Sequence, residues 1–223
     1  MTDSRRVDSS QTGVHLKLEA IVRKHLSTQF ERPIADHTRR AFDSIYNKLQ
    51  HPKLIFDTGC GTGDSTIQLA LRHPDAQVIG IDKSIARLSK HPIAEQQDKP
   101  KNYELVQAEL IDFWRLAVDA KLQLWRHCFF YPNPWPKPGQ LQRRWHASAV
   151  FPSILRLGGD IELRSNWRIY LEEFQYALRI AGRSSNIQEL TQNGAQPISA
   201  FEKKYWHSGQ RLWQLLADAP DAV

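Results

Sequence analysis

A glycine-rich turn is the first segment whose residue types and spacing are suited to chemistry. The run from Asp57 to Asp64, Asp-Thr-Gly-Cys-Gly-Thr-Gly-Asp, directly follows a short apolar segment and precedes a helical pattern. Glycines there let the backbone bend sharply and approach a ligand without a Cβ clash. Their spacing is Gly-x-Gly-x-Gly, whereas dinucleotide-binding proteins use Gly-x-Gly-x-x-Gly to seat a pyrophosphate. Gly59, Gly61 and Gly63 therefore favour S-adenosylmethionine over NAD as the cofactor, and an NAD-dependent oxidoreductase is disfavoured.

Acidic residues follow the same and the neighbouring apolar runs. Asp82 comes about 20 residues after the glycines, where a carboxylate can accept both hydroxyls of a ribose. Glu109 follows the third run and is predicted to face the adenine amino group. In methyltransferases with a turn of this type, Asp57 would lie near the methionine end of the cofactor. The alternative is that the glycines only form a tight turn and that Asp82 caps the next helix, but three glycines followed by an acid at this distance favour the cofactor site.

A proline-rich segment after the fourth apolar run is the second candidate site. The segment 129–137 reads Phe-Phe-Tyr-Pro-Asn-Pro-Trp-Pro-Lys. Ligands of open α/β sheets bind beyond the carboxyl ends of the strands, so this stiff loop should face the cofactor. Asn133 and Trp135 present an amide and an indole, which can hold a planar base by an edge hydrogen bond and by stacking. Three cations in and after the loop are candidate phosphate contacts, with a solvated helix face as the alternative: Lys137, Arg143 and Arg144.

The same loop resembles the FFPDPWxK loop of the bacterial tRNA (guanine-N7)-methyltransferases, which is followed by a basic helix with paired arginines. Further matches follow in the family's order: Gly158-Gly159, Ser165-Asn166-Trp167 with Tyr170, and Ser199-Ala200-Phe201-Glu202 with Gly209. The matches span roughly residues 53 to 216. The resemblance implies a Rossmann-like class I methyltransferase fold, with a mostly parallel seven-stranded sheet and helices on both faces. It also implies methyl transfer to guanine N7 of tRNA, with Glu202 closing over substrate and cofactor and holding the base together with Asn133 and Trp135. Asn166 and Ser199 would lie in the substrate site.

Two departures from the family pattern leave the activity open. Asn133 and Asn166 both stand where the family has aspartate, and each change removes a charge-assisted hydrogen bond worth ~1.5–3 kcal/mol. Guanine N7 is already a lone-pair nucleophile, so the reaction needs placement rather than a general base. Because Asn133-Pro134-Trp135 also resembles an Asn-Pro-Pro-aromatic element, methylation of an exocyclic amine on another RNA or a small molecule is an alternative. A non-catalytic paralogue that binds cofactor and RNA is another.

Short apolar runs alternate with helical patterns from Lys53 onward, which predicts βαβ units and a largely parallel sheet. The predicted strands are Leu54–Asp57, Gln77–Ile81, Tyr103–Gln107, Trp125–Tyr131, Gly159–Arg164, Asn186–Leu190 and Gln210–Leu216, the last two separated by a polar loop. The predicted helices of this part are Ser65–His73, Ser84–Lys90, Gln140–Leu157 and Tyr170–Ile180. Residues 1–33 are predicted to be a tail and a docked helix, and residues 34–223 a methyltransferase domain whose first helix starts after an N-cap at Asp36.

Composition limits the class of protein only loosely. The net charge of +6 favours polyanionic partners, so tRNA is a plausible partner, although charge alone is weak evidence. No run approaches the ~18 apolar residues of a membrane span, and no signal peptide opens the chain, so we expect a cytoplasmic protein that binds no membrane. Cys60 and Cys128 form no CxxC pair, which predicts buried thiols and neither a disulfide nor a metal site. Monomer and homodimer both stay open.

Overall fold

Short runs of aliphatic and aromatic residues form the seven strands of one sheet. The computed structural model describes residue 4 and residues 6–91, 100–192 and 196–220. The strands are β1 (Leu54–Thr58), β2 (Gln77–Asp82), β3 (Tyr103–Gln107), β4 (Arg126–Phe130), β5 (Asp160–Ser165), β6 (Asn186–Leu190) and β7 (Leu212–Ala217). Their order is β3-β2-β1-β4-β5-β7-β6, and β7 runs antiparallel to both of its neighbours. The predicted mostly parallel seven-stranded sheet is confirmed.

Helices cover both faces of the sheet. They are α1 (Leu18–Ser27), α2 (Asp36–Ser44), α3 (Asp64–Arg72), α4 (Ile85–Leu88), α5 (Leu110–Asp119), α6 (Phe151–Arg156), α7 (Arg168–Ile180) and α8 (Ala200–His207). Successive side chains of a strand point to opposite faces, so β1 contributes to two cores. Phe56 packs edge-on against Phe113 of α5 on one face. Ile55 packs with Leu69 of α3 in the core of the other face.

The segment after the proline-rich loop differs from its prediction. A continuous helix over Gln140–Leu157 is wrong, because the chain forms two short 3-10 turns, Pro138–Arg143 and Trp145–Ala147, before α6. Arg144 lies between the turns with extended backbone (φ −77°, ψ 139°). Pro152 has no N–H to donate, so it fits only the first turn of α6 and the helix starts there. Helices α5 and α8 were absent from the predicted set, and α8 lies in the predicted polar loop.

The N-terminal segment is bonded to the rest of the molecule. Helix α1 buries Leu18 and Val22 in the sheet's main core and contacts α6 and α7. Residues 6–17, called the N-terminal strap below, precede it, and Leu16 is 99% exposed, so the helical pattern begins after it. Residues 1–3 and 5 of the predicted tail lie outside the described residues. Asp36 is the first residue of α2 rather than its N-cap, which is Ala35.

Both cysteine thiols are buried and unpaired, as expected. None of the helices within the described ranges has the length and apolar content needed to cross a bilayer.

Candidate active site

The two candidate loops leave the sheet side by side. Strands β1 and β4 are parallel neighbours, with Thr58 opposite Phe129 near their carboxyl ends. The glycine turn continues β1, and the proline-rich loop, residues 131–137 and called the substrate loop below, continues β4. Connections run to opposite sides from this pair of strands, which is the point where open α/β sheets form ligand crevices. The predicted convergence of the two loops at one sheet edge is confirmed.

The three glycines of the turn are required for two different structural reasons. Gly59, Gly61 and Gly63 all have positive φ, at 75°, 61° and 87°. A Cβ at Gly59 or Gly61 would meet nothing within 4 Å, so these two border open space. A Cβ at Gly63 would lie 2.6 Å from Nδ1 of His91, whose ring packs against the turn and contacts the Thr62 carbonyl oxygen at 2.8 Å. Gly59 and Gly61 leave room for a ligand, whereas Gly63 leaves room for the protein itself.

Asp82 organises the glycine turn from the end of β2. One carboxylate oxygen accepts a hydrogen bond from the Gly61 N–H at 3.0 Å, and the other accepts from the Ser84 N–H at 2.8 Å, at the start of α4. Each carboxylate oxygen has a second lone pair, so both can still accept from a diol. Asp82 thus stabilises the start of α4, as the alternative predicted, and it also lies beside Gly59 and Gly61, which border open space.

Asp57 carries a buried oxygen with no partner. Its Oδ2 accepts hydrogen bonds of 2.6 Å from the hydroxyls of Ser65 and Thr66, while Oδ1 has no hydrogen-bond partner among the described residues. Burial raises the pKa of this carboxyl to about 6, although the two hydroxyl donors oppose the shift. A buried, half-satisfied carboxylate of this kind is suited to an ammonium group of a ligand.

Glu109 stands directly before α5 and is partly buried. Its N–H donates to the hydroxyl of Thr38 at 3.2 Å, so α2 braces this end of β3. Contact with an adenine stays a prediction.

The substrate loop is held by its own carbonyl groups. Tyr131 and Trp135 have φ of 53° and 47°, a region that non-glycine residues seldom adopt. The Trp135 carbonyl accepts from Nε and Nη2 of Arg144 at 3.2 and 3.0 Å, and the Pro136 carbonyl accepts from the Ser9 hydroxyl at 2.6 Å. Asn133 is exposed near the tip of the loop. The uncommon backbone of Trp135 is therefore fixed by a buried arginine and by the N-terminal strap.

Arg144 belongs to a buried cluster rather than to a phosphate-binding surface. Its side chain is fully buried, and its Nη1 pairs with Glu173 Oε2 at 2.5 Å while its Nη2 donates to Gln11 at 3.0 Å. The prediction that Arg144 meets phosphates is wrong, because the guanidinium has no access to solvent. Glu173 also accepts from Nε2 of His146 at 3.0 Å and from the His15 N–H at 3.0 Å. We call Gln11, Arg144, His146 and Glu173 the Arg144 cluster.

Charges in the Arg144 cluster are set by mutual contact. Burial alone raises the pKa of Glu173, but the hydrogen bonds from His146 and Arg144 and the positive charge of Arg144 outweigh it and lower that pKa below its ordinary value. Burial lowers the pKa of His146, against the opposing effect of Glu173. The cluster is therefore an ion pair of Arg144 and Glu173 with a neutral imidazole donating to the carboxylate.

Lys137 and Arg143 remain exposed beside the loop. The guanidinium of Arg143 lies over the Trp135 ring, 4.7 Å from its centroid. Both residues are accessible to a phosphate, and their role as phosphate contacts stays a prediction.

Glu202 anchors helix α8 beneath the site. It is fully buried and accepts from Nη1 of Arg164 at 3.0 and 3.1 Å, from the Tyr131 hydroxyl at 2.7 Å and from the Ile198 N–H at 3.0 Å. The prediction that Glu202 holds the base is therefore wrong, because both of its carboxylate oxygens accept hydrogen bonds within the protein and neither reaches the surface. Glu202 instead holds Tyr131, the first residue of the substrate loop.

Two further predicted substrate residues have partners within the protein. The Ser199 hydroxyl caps α8 by accepting from the Glu202 N–H at 3.2 Å. Asn166 follows β5 and donates to Gln210 at 2.8 Å. Whether either side chain also contacts a substrate stays a prediction.

Glu173 and Gln11, the two side-chain acceptors of the Arg144 cluster, were not among the predicted site residues. Glu173 lies on the apolar face of α7, one turn from Tyr170 and Ala177, which are both buried. A carboxylate at a core position of a helix is almost never unpaired, so this position was a detectable signal. Gln11 stands in an unpatterned polar segment and offered no comparable signal.

The sheet order, the glycine turn after β1 and the acid at the end of β2 define a Rossmann-like α/β fold. The chain belongs to the Methyltransf_4 family of methyltransferases, whose family model matches residues 51–215.

Curated relatives are similar at low identity. The tRNA (guanine-N(7)-)-methyltransferase of Stutzerimonas stutzeri (strain A1501) is 24% identical over 184 residues, which cover 79% of this chain and 76% of that protein. The protein of the same name from Saccharophagus degradans is 26% identical over 174 residues, covering 73% and 74%. The one from Aquifex aeolicus (strain VF5) is 24% identical over 180 residues, covering 78% of this chain and 59% of that longer protein.

Solved structures share the fold. An antibiotic-related methyltransferase superposes with a TM-score of 0.59 at 17% identity, covering 88% of this chain and 98% of that one. A 16S rRNA (adenine(1408)-N(1))-methyltransferase from Catenulisporales acidiphilia, solved with the cosubstrate SAM, has a TM-score of 0.55 at 17% identity, covering 80% and 91%.

Proposed function

We propose that this protein transfers a methyl group from S-adenosylmethionine to N7 of a guanine in tRNA. One observation carries the proposal: an open glycine turn and a braced proline-rich loop leave neighbouring parallel strands at the same sheet edge. The relatives named tRNA (guanine-N(7)-)-methyltransferase support the choice of substrate and atom.

The residues of the glycine turn fit the cofactor. The unpartnered oxygen of Asp57 suits the ammonium of the methionine moiety, and the open sides of Gly59 and Gly61 allow close approach of the ligand to the backbone. Asp82 would accept hydrogen bonds from the ribose hydroxyls, and Glu109 would face the adenine. When bound, S-adenosylmethionine supplies a methyl group on a positively charged sulfur.

Placement of the base accounts for catalysis in this proposal. With the cofactor held at the glycine turn, the N7 lone pair of the guanine would be the nucleophile, and S-adenosylmethionine would supply both the methyl carbon and the leaving sulfur. No proton has to be removed, so aligned binding contributes most of the rate. Trp135 would stack on the base and Asn133 would bond its edge, while Lys137 and Arg143 would contact phosphates. Because its backbone is fixed by Arg144, Trp135 needs little reorganisation on binding.

The partner of the reaction is tRNA, met in the cytoplasm, with no membrane involved. Monomer and homodimer are both compatible with a site whose proposed residues all come from one chain.

The test uses the purified full-length chain, methyl-labelled S-adenosylmethionine and unmodified tRNA transcript, followed by nucleoside mass spectrometry. We expect 7-methylguanosine, and no product from a transcript made with 7-deazaguanine, which lacks the nucleophilic nitrogen. Asp82→Asn should lose cofactor binding, whereas the exposed Asp75→Asn should not.

Other products would point to the alternatives. A methylated exocyclic amine would replace the N7 assignment, and it would favour the Asn-Pro-Trp element as an amine site. Tight binding of cofactor and tRNA without any methylated nucleoside would refute the enzyme and leave a binding paralogue.

A further inference from the structure

A series of aromatic rings lies beside the substrate loop, partly buried at Tyr131 and Tyr205 and exposed at Phe201. Tyr131 of the loop contacts Tyr205 of α8, with ring centroids 5.3 Å apart, and Tyr205 stacks on Phe201 with centroids 6.3 Å apart and planes 27° apart. Phe201 is 50% exposed, whereas large aromatics are usually buried. We call Tyr131, Tyr205 and Phe201 the aromatic ladder.

The helix that carries the ladder is fixed from below. Glu202 points into the protein and pairs with Arg164, so the opposite side of α8 is left outward. Residues three and four positions apart share a helix face, which places Phe201, Lys204 and Tyr205 together. Lys203 and Lys204 are exposed, and neither forms an ion pair with any residue in the described parts of the chain.

We propose that the aromatic ladder binds an unpaired nucleotide of the RNA substrate, with its base stacked on Phe201 and its phosphate paired with Lys204. The proposal deepens the proposed function and rests on it for the choice of RNA. Every nucleobase has a face that stacks on an aromatic ring, and an ammonium beside the ring matches the phosphate of the same nucleotide. The net charge of +6 has the sign required.

Because the ladder lies next to the substrate loop, a nucleotide is favoured over an apolar protein surface as its ligand. The ladder begins at Tyr131, whose hydroxyl is held by Glu202, and the substrate loop follows from that residue. An RNA strand with its target guanine at the loop would pass the ladder with a neighbouring nucleotide. Single-stranded or splayed nucleotides are the form in which RNA bases become available for stacking.

The experiment compares Phe201→Ala and Phe201→Trp with Leu26→Ala, which truncates another partly exposed apolar side chain on α1. Binding is measured for a single-stranded oligoribonucleotide, for unmodified tRNA and for a blunt RNA duplex. Phe201→Ala should weaken binding to the single strand and the tRNA roughly 5- to 100-fold, and Phe201→Trp should restore it. Duplex binding should not change. Lys204→Gln should reduce the slope of log affinity against log salt by about 1.

The outcomes separate this inference from the proposed function. If wild type binds single strands through Phe201 but forms no methylated nucleoside, the ladder stands and the proposed activity fails. If wild type methylates tRNA and Phe201→Ala binds and reacts like wild type, the ladder fails and the activity stands. Absence of RNA binding by wild type overturns both. Cofactor affinity and melting temperature should stay unchanged in Phe201→Ala, since the side chain is half exposed, and this verifies the fold.

Discussion

Glutamine in place of Glu173 should destabilise the protein strongly, because it leaves the Arg144 guanidinium buried without a counter-charge. Both side chains are fully buried, and their charged atoms lie 2.5 Å apart. Breaking such a pair from one side costs about 3–5 kcal/mol. The same contacts lower the pKa of Glu173 below its ordinary value of 4.5, which is the direction expected of a carboxylate that stabilises the folded state.

The pH dependence has a definite sign. The pKa of Glu173 is lower in the folded state, so its contribution is complete above about pH 4.5 and is lost as the pH falls toward 2. For a chain of this size each kcal/mol changes the melting temperature by about 2–4 °C, so Glu173→Gln should melt roughly 6–20 °C lower at neutral pH. At pH 2 the difference from wild type should nearly vanish.

Glu172→Gln is the matched control on the same helix. Glu172 pairs with Arg168 at 2.8 Å on the surface, so its loss should cost less than about 0.5 kcal/mol.

A double variant, Arg144→Met with Glu173→Met, separates stability from activity. With no uncompensated charge, much of the stability should return. The rate of methyl transfer should be lower than in wild type, because the Trp135 carbonyl has lost both of its Arg144 donors. Scanning calorimetry and the tRNA methylation assay, run well below each melting temperature, measure the two effects. Equal melting of Glu173→Gln and Glu172→Gln, or full activity in the double variant, would refute the role assigned to this cluster.

Three further predictions concern the two loops. Protonation of Asp57 should weaken S-adenosylmethionine binding up to about tenfold per pH unit below about pH 6, whereas Asp57→Asn should bind weakly at every pH by calorimetry. Gly61→Ala should abolish cofactor binding with only a small loss of melting temperature, while Gly63→Ala should lower the melting temperature further because its Cβ meets His91 at 2.6 Å; identical melting of the two would contradict the assignment. Asn133→Asp should raise the rate of tRNA methylation about tenfold or more by adding a charge-assisted hydrogen bond to the base, and an unchanged single-turnover rate would remove this residue from base recognition.

Elements were predictable where the pattern of apolar residues has one explanation. Strand β1 was placed to within one residue because consecutive buried residues bounded by turn residues indicate a strand between two layers. The segment 140–157 after the substrate loop was not predicted correctly, because its apolar residues have helical spacing although no continuous helix forms. The interruption at Arg144 depends on a contact with a residue that is distant in sequence. Arg144 leaves helical geometry where its guanidinium reaches Glu173, and no local propensity records that contact.

The residues of the candidate site were likewise predictable only where the sequence pattern has one explanation. Asp57, Gly61 and Asp82 lie at or just beyond the carboxyl ends of strands, and topology alone brings such positions together at one edge. Arg143 and Arg144 are adjacent and chemically identical, yet Arg143 is exposed and lies over the Trp135 ring, whereas Arg144 lies in the core. Only the packing of α7 and of the N-terminal strap distinguishes them, and both are far away in sequence.

The contacts of Ser4 can form only late in synthesis, because its partners are Ser208 and Gln210. Its N–H donates to the Ser208 hydroxyl at 2.9 Å, and its carbonyl accepts from the Gln210 side chain at 2.7 Å. A ribosome adding about 5–20 residues per second needs roughly 10–40 s to make the intervening chain. The segment just before the strap therefore gains these two contacts only after Gln210 has been synthesised, so a nascent chain would carry the glycine turn before the N-terminal end of the strap is held in place.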